Sequence, residues 1–299
     1  MPTRDPTAAE APVRERAPAK VNLDLRVVGR RGDGYHELDS LVVFGPVADE
    51  LAVLPDEDLR LEVEGPFAAL VPAGEANLVL RAARTLVDAC GVRAGARLVL
   101  RKEIPPQSGL GGGASDAAAA LRGLVRLWRL DVEQGLLWDL AREVGADVPV
   151  CLYGRPARIR GIGERIDPVR GLPELPLLVA WPGRGLSTAA VYAGLRRKDH
   201  GTPRRPPLPA RPTLPVFLAW LEASANDLEA SARALLPAVG ELLGRLALLP
   251  GCRLARMTGS GSACFALFSR PEEAEAARAR LSAEHPDWWV VSGTVCGEP

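Results

Sequence analysis

Histidine is scarce in this chain, with three among 299 residues, so a His-rich metal centre is not expected. Cysteine is also sparse: the five thiols are an odd count and no Cys-x-x-Cys occurs, which argues against a disulfide framework and a zinc site. They read as small apolar core residues of a reducing compartment. Excess charge is missing as well. Lys+Arg and Asp+Glu stand at 37 each, so no global field favours nucleic acid or an anionic membrane. No apolar run reaches the ~20 residues that span a bilayer. Residues 1–16 are polar and rich in Pro and Ala, without the apolar stretch of a signal peptide. They are expected to be a disordered tail, and the protein to be cytoplasmic, with neither nucleic acid nor membrane as partner. No internal repeat is visible.

What is present suits a sizeable core: 47% of residues are hydrophobic and 25% charged. The length fits two domains, placed at 17–170 and 171–299 because the pattern restarts near Gly171. Val21, Leu23, Leu25 and Val27 alternate with Asn22, Asp24 and Arg26, predicting one half-buried strand with Lys20 and Asn22 on its polar face. Short strands are expected at 41–44, 51–54 and 59–64. Asn77 is a candidate N-cap for a helix stopped by Gly91. A strand at 97–103 precedes a glycine loop, then helices at 115–129 and 132–144. Further on, 175–181 reads as a buried strand and 187–195 as a short helix. The Pro-rich run 203–215 reads as a surface loop. Asn226 and Glu229 resemble a capping box. Strands at 253–257 and 263–268 flank a glycine turn, and a helix at 271–283 precedes a closing strand at 288–295. The class is α+β.

The most informative segment is Pro105-Pro106-Gln107-Ser108-Gly109-Leu110-Gly111-Gly112-Gly113-Ala114-Ser115-Asp116. Glycines remove Cβ atoms and allow positive φ, so backbone N–H groups converge on an anion at a helix N-terminus. Ser115 adds a hydroxyl for phosphate or its metal. Taken alone, such a loop is also compatible with a flexible turn or close strand–helix packing. No lysine follows the glycines, so a Walker A loop is excluded. Gly109-x-Gly111-x-x-Ala114 satisfies a relaxed dinucleotide pattern, with Asp131 at the required spacing, and a nicotinamide oxidoreductase stays open.

Read together, three segments narrow the choice. Ala19-Lys20-Val21-Asn22-Leu23 with Asp33-Gly34-Tyr35-His36-Glu37-Leu38, then the glycine loop, then Thr258-Gly259-Ser260-Gly261-Ser262-Ala263 resemble the diphosphocytidyl-methylerythritol kinases of the GHMP kinase superfamily. Gly145-Ala146-Asp147-Val148-Pro149 and Gly161-Ile162-Gly163-Glu164 match as well. The resemblance covers residues 17–295. It implies the two-domain GHMP kinase fold, with a ribosomal-protein-S5-like ATP domain and a ferredoxin-like second domain. It also implies transfer of the ATP γ-phosphoryl group to the C2 hydroxyl of a cytidyl-diphosphate substrate, with Mg²⁺ and an unassigned metal ligand. Asp147 corresponds to the general base and Lys20 to its partner. Residues 105–115 correspond to the ATP loop, and Asn77, Leu78 and Lys102 to the adenine side. Tyr35, His36 and Tyr192 correspond to the cytosine contacts, and Asn22 and Thr188 to polar substrate contacts. Ala114 and Gln107 depart from the family pattern. Other GHMP kinases and a non-catalytic paralogue remain alternatives, as do monomer and homodimer.

Overall fold

The first sheet is organised by one long strand. The computed structural model describes residues 11–72, 74–195 and 207–295, and within it β1 (Val13–Asn22), β2 (Arg26–Arg30) and β3 (His36–Asp56) form a continuous antiparallel ribbon. The two short strands expected at 41–44 and 51–54 are parts of β3. The expected tail 1–16 is also shorter than read. Residues 13–16 pair with β3 from Val13↔Val53 to Arg16↔Glu50, since alternate residues find a sheet edge whatever their polarity. Residues 1–10 lie outside the described residues. The strand predicted over 21–27 breaks after Asn22, where Asp24 turns inward and Oδ1 accepts from Leu41 N at 2.7 Å.

β4 (Leu59–Glu64) runs parallel to β5 (Gly95–Arg101), with α1 (Leu78–Cys90) crossing between them. Asn77 caps α1: its Oδ1 accepts from Val79 N at 2.9 Å, and Gly91 ends the helix at φ 63°. β5 leads through the glycine loop into α2 (Gly112–Leu127), which begins three residues before the expected start at 115. Then come α3 (Gln134–Val144), α4 (Val148–Tyr153), β6 (Ala157–Gly161) and β7 (Arg165–Pro168), completing the order β4-β5-β3-β6-β7. Alanine-rich α2 fits closely against the sheet because its packing face carries little volume. A Cβ on Gly123 would come within 2.7 Å of Val53 Cγ2. Leu86, Leu98 and Leu121 fill the core below, and truncating one to alanine costs about 2–5 kcal/mol.

The second sheet holds β8 (Leu175–Trp181), β9 (Cys252–Met257), β10 (Cys264–Phe268) and β11 (Trp289–Val295) in the antiparallel order β11-β8-β10-β9. That order, with helices between β8 and β9 and again between β10 and β11, is ferredoxin-like. The helices are α5 (Thr188–Ala193), α6 (Leu214–Glu222), α7 (Glu229–Leu235), α8 (Pro237–Ala247) and α9 (Pro271–Glu284). Every residue of β8 is buried because both faces of this sheet are covered. On one face, Leu177, Val179 and Phe265 meet Val21, Leu41 and Val43 of the first sheet. On the other, Leu178 and Ala266 meet Val239, Leu242 and Leu281.

One sequence reading changes here and another is extended. The Pro-rich loop ends early, since Pro215 sits in the first turn of α6, where a missing N–H costs nothing; residues 196–206 lie outside the described residues. Asn226 does more than head α7, where its Oδ1 accepts from Leu228 N at 3.0 Å. Its Nδ2 donates to Met257 O and Gly259 O, both at 2.8 Å, and so pins the second glycine turn. Cys90, Cys151, Cys252 and Cys264 are free thiols. Burial pushes Cys151 and Cys264 well above the ordinary thiol range, as inert core residues require. Cys296 lies outside the described residues.

Candidate active site

The glycine loop and the turn at 258–262 meet backbone to backbone. A Cβ on Gly109 (φ 81°) would lie 2.6 Å from Thr258 O, and one on Gly259 (φ 54°) would overlap Gly109 O. Ladder-like bonds fix the contact: Ala263 N donates to Ser108 O at 2.9 Å and Lys20 N to Leu110 O at 2.8 Å. Asn22 N donates to Thr258 Oγ1 at 2.8 Å. The first motif is thereby bonded to both of the others. They border a cavity of about 1270 Å³.

Lys20 emerges from β1 beside Gly111. A Cβ at Gly111 (φ 64°) would come 3.0 Å from Lys20 Cε, so glycine is needed there for space and for conformation. The buried ammonium donates to Asn22 Oδ1 at 2.9 Å and lies 3.4 Å from Asp147 Oδ2. Asn22 in turn donates from Nδ2 to Ser40 Oγ at 2.7 Å. Asp147 heads α4, and its side chain is 47% exposed toward the cavity. A carboxylate open to ligand, next to a buried cation held in one place, can take a proton from a hydroxyl beside it.

The loop itself lines the cavity from Pro105 through Ala114. Gln107 has a positive φ of 55°, and a Cβ on Gly185 would come 2.6 Å from Gln107 Cβ, so position 185 has room only for glycine. Ser108 Oγ donates to Pro105 O at 2.6 Å and stiffens the turn. Ser115 departs from expectation. Its hydroxyl donates to Pro18 O at 2.8 Å, and the residue is not among those lining the cavity. In a helix starting at Gly112, position 115 points back against β1.

Lys102 lines the cavity, but its ammonium is taken up by two carboxylates. It is 2% exposed, and Nζ lies 2.5 Å from Asp49 Oδ2 and 2.6 Å from Asp116 Oδ2. Asp49 Oδ1 accepts from Glu103 N and Ile104 N, at 2.6 and 2.8 Å. The cluster thus ties β3, the exit of β5 and α2 together beneath the phosphate loop. Burial pushes the Asp116 carboxyl up to about 8. The Lys102 charge opposes this, and the Asp49 charge adds to it. Among the described residues Asp116 Oδ1 has no hydrogen-bond partner, and Asp116 borders the cavity. Sequence reading missed Asp49 and Asp116 as a pair with Lys102. Three buried charges so far apart in sequence leave no local pattern, although Asp116 directly follows the loop.

On the opposite side lie Tyr35, His36, Thr188 and Tyr192. Tyr35 is 59% exposed. His36 stacks on Tyr192 with ring centroids 5.0 Å apart and 27° between planes. Burial, and after it the Asp147 charge, raises the Tyr192 hydroxyl well above the ordinary tyrosine range. Thr188 Oγ1 and Ser260 Oγ share a hydrogen bond of 2.8 Å, joining α5 to the second glycine turn. Asn77 and Leu78 line the cavity as well, although both polar atoms of the Asn77 amide already bond backbone, Val79 N and Pro72 O.

A dinucleotide fold is excluded by this arrangement: Asp131 lies between α2 and α3, not after a strand, and both sheets are largely antiparallel. A phosphate loop at a helix N-terminus, beside a lysine–aspartate pair in a cleft bordered by two α+β units, defines a small-molecule kinase of the GHMP type. Comparison with known proteins agrees. The family models described as GHMP kinases N terminal domain and GHMP kinases C terminal match residues 77–155 and 214–287. A 4-diphosphocytidyl-2-C-methyl-D-erythritol kinase of Parvibaculum lavamentivorans is 49% identical over 280 residues, covering 93% of this chain and 97% of the relative. One from Rhodospirillum rubrum is 45% identical, covering 95% and 93%. A crystal structure of 4-(cytidine 5'-diphospho)-2C-methyl-D-erythritol kinase superposes with TM-score 0.76 at 40% identity, covering 95% of this chain and 99% of that one. Homoserine kinase from Cytophaga hutchinsonii, at 19% identity and TM-score 0.65, shares the fold. The chain belongs to the 4-diphosphocytidyl-2-C-methyl-D-erythritol kinase family of the GHMP kinases.

Proposed function

We infer that this protein transfers the γ-phosphoryl group of ATP to the C2 hydroxyl of 4-diphosphocytidyl-2-C-methyl-D-erythritol, in the non-mevalonate route to isoprenoid precursors. The observation that carries the chemistry is the Lys20–Asp147 pair, 3.4 Å apart, in the same cavity as the N-terminus of α2. In our reading the substrate hydroxyl lies against Asp147 Oδ1 or Oδ2, which accepts its proton as the O–P bond forms. Lys20 holds the carboxylate in register and offsets charge on the phosphoryl oxygens. The backbone N–H groups of residues 111–113 and the helix dipole hold the phosphate chain. Most of the acceleration comes from this positioning and charge stabilisation.

Mg²⁺ would accompany the nucleotide. Among the described residues no three His, Cys, Asp or Glu side chains gather into a cage, which suits an ion bound mainly by phosphates and water. When ionised, Asp116 Oδ1, buried at the cavity without a partner among the described residues, would be a protein oxygen that fits it. The ion's chemistry would be neutralisation of charge on the phosphate chain.

For the cytidine, Tyr35 supplies an open aromatic face and His36 the edge hydrogen bonds. A base between two rings needs roughly twice one stacking distance, and the 5.0 Å His36–Tyr192 gap is too narrow. Tyr192 therefore holds the imidazole rather than the base. Asn22 and Thr188 keep the polar end of the substrate against the motif-three turn. Among the described residues no helix is long and apolar enough to cross a membrane. We take the enzyme to act in the cytoplasm, as a monomer or homodimer.

Measuring ADP release on the cytidyl substrate, mevalonate and homoserine tests the reading. Strong preference for the cytidyl substrate is expected, and Asp147→Asn should lower kcat about 10²–10⁴-fold with ATP affinity kept. Equal turnover of an alcohol lacking the nucleotide, or near-parental kcat in the variant, overturns it.

A further inference from the structure

The cavity must receive two polyanions, yet both of its lining lysines are already neutralised. Lys20 faces Asp147, and Lys102 faces Asp49 and Asp116. Among the described residues, the lining cations without a carboxylate partner are Arg30 and Arg81. Arg30 ends β2 on the Tyr35 side and donates from Nε to Gly34 O at 3.3 Å.

Arg81 belongs to the nucleotide side. It lies one turn into α1, where its N–H bonds Asn77 O at 3.0 Å. The start of that turn abuts the phosphate loop: a Cβ on Gly113 would touch Leu78 Cδ1 at 3.6 Å. The side chain is exposed and borders the cavity, and Nη2 donates to Val144 O at 2.6 Å. Val144 is the last residue of α3, and its carbonyl belongs to the unpaired, partially negative end of that helix. Three residues later comes Asp147. One of the five guanidinium donors is used in this bond. The remaining fork is the geometry that recognises phosphate oxygens bidentately.

We propose that Arg81 binds the β- and γ-phosphates of ATP and, through Val144, ties the Asp147 loop to the bound nucleotide. The proposal rests on the kinase reading above and adds to it a residue outside the three motifs. Charge that builds on the transferred phosphoryl group then meets a guanidinium supplied in cis. The same side chain fixes the segment carrying the base, so nucleotide occupancy and base placement are linked.

Calorimetry with AMP, ADP and ATP, each with Mg²⁺ and without acceptor, tests this on the full-length protein and its Arg81→Gln and Arg81→Lys variants. Glutamine keeps a donor for Val144 O but loses the charge and the fork. Arg81→Gln should bind ATP about tenfold or more weakly, with AMP affinity within about threefold and Tm close to the parent. Arg81→Lys should recover part of the ATP affinity. ATP and AMP weakened by the same factor, or neither weakened, would mean that Arg81 does not touch the phosphate tail. If Arg81→Gln does not fold, Arg81→Lys decides: ATP weakened selectively supports the proposal, and unchanged ATP affinity overturns it. A parent that binds ATP no better than AMP would overturn the kinase reading, and this proposal with it.

Discussion

Gly109 and Gly259 are in contact through their backbones alone: a side chain on Gly259 would overlap the Gly109 carbonyl, and both residues have positive φ. This contact joins the phosphate loop of the first unit to the turn after β9 of the second. Gly259→Ala should therefore cost about 2 kcal/mol or more in unfolding free energy, from αL strain and overpacking together. It should also weaken ATP binding, because the loop it displaces carries the phosphate donors. Denaturant unfolding and calorimetry measure the two effects. A variant as stable as the parent would show that the two loops yield freely.

Ser115 offers a test of the corrected loop geometry. Its hydroxyl bonds Pro18 O, so Ser115→Ala should lose about 1 kcal/mol of stability, the net worth of one neutral hydrogen bond. The KM for ATP should stay within about twofold. A tenfold rise in that KM would return the hydroxyl to the phosphates.

The Asp116 carboxyl gives a pH dependence with a definite sign. Its folded value of about 8 lies above the ordinary 3.8, so the folded state keeps a proton that the unfolded chain has released. The stability this group contributes is complete below about pH 4 and is lost as pH rises through about 8. Asp116→Asn cannot titrate there. The Tm of the variant minus that of the parent should climb between pH 5 and pH 9. A flat difference across that range would mean that Lys102 keeps Asp116 ionised throughout.

Local patterns carried much of the fold and the order of the motifs. Asn77, Gly91 and the apolar run 175–181 declared themselves because capping and continuous burial are properties of adjacent residues. The Lys20–Asp147 pair was reached through resemblance, and the structure places the two side chains in contact. Other features depended on long-range pairing. Residues 13–16 look like a tail until β3 is beside them. Asn226 bonds Leu228 N as its spacing suggests, but its bonds to a turn some thirty residues away have no local signature. Ser115 faces β1 because α2 begins at Gly112, and a register of three residues decides which side of a helix meets the ligand.

The stack of His36 on Tyr192 separates two ways of recognising cytosine. If Tyr192 acts by holding the imidazole, its contribution passes through His36. Tyr192→Phe keeps the ring and should leave kcat/KM for the cytidyl substrate within about threefold. Tyr192→Ala frees the imidazole and should raise KM for that substrate up to roughly tenfold, with ATP affinity unchanged, since aromatic side-chain pairs are worth about 0.5–1.5 kcal/mol. His36→Ala removes the edge contacts and should cost at least as much. The decisive variant is the double one. With Tyr192 working through His36, losing both should cost little more than losing His36 alone, because the second truncation removes support for a side chain already gone. Independent contact with the base predicts the opposite, a double variant whose loss is the sum of the two single losses. Additive losses in that cycle would place the cytosine directly against Tyr192 and require the 5.0 Å stack to open when substrate binds.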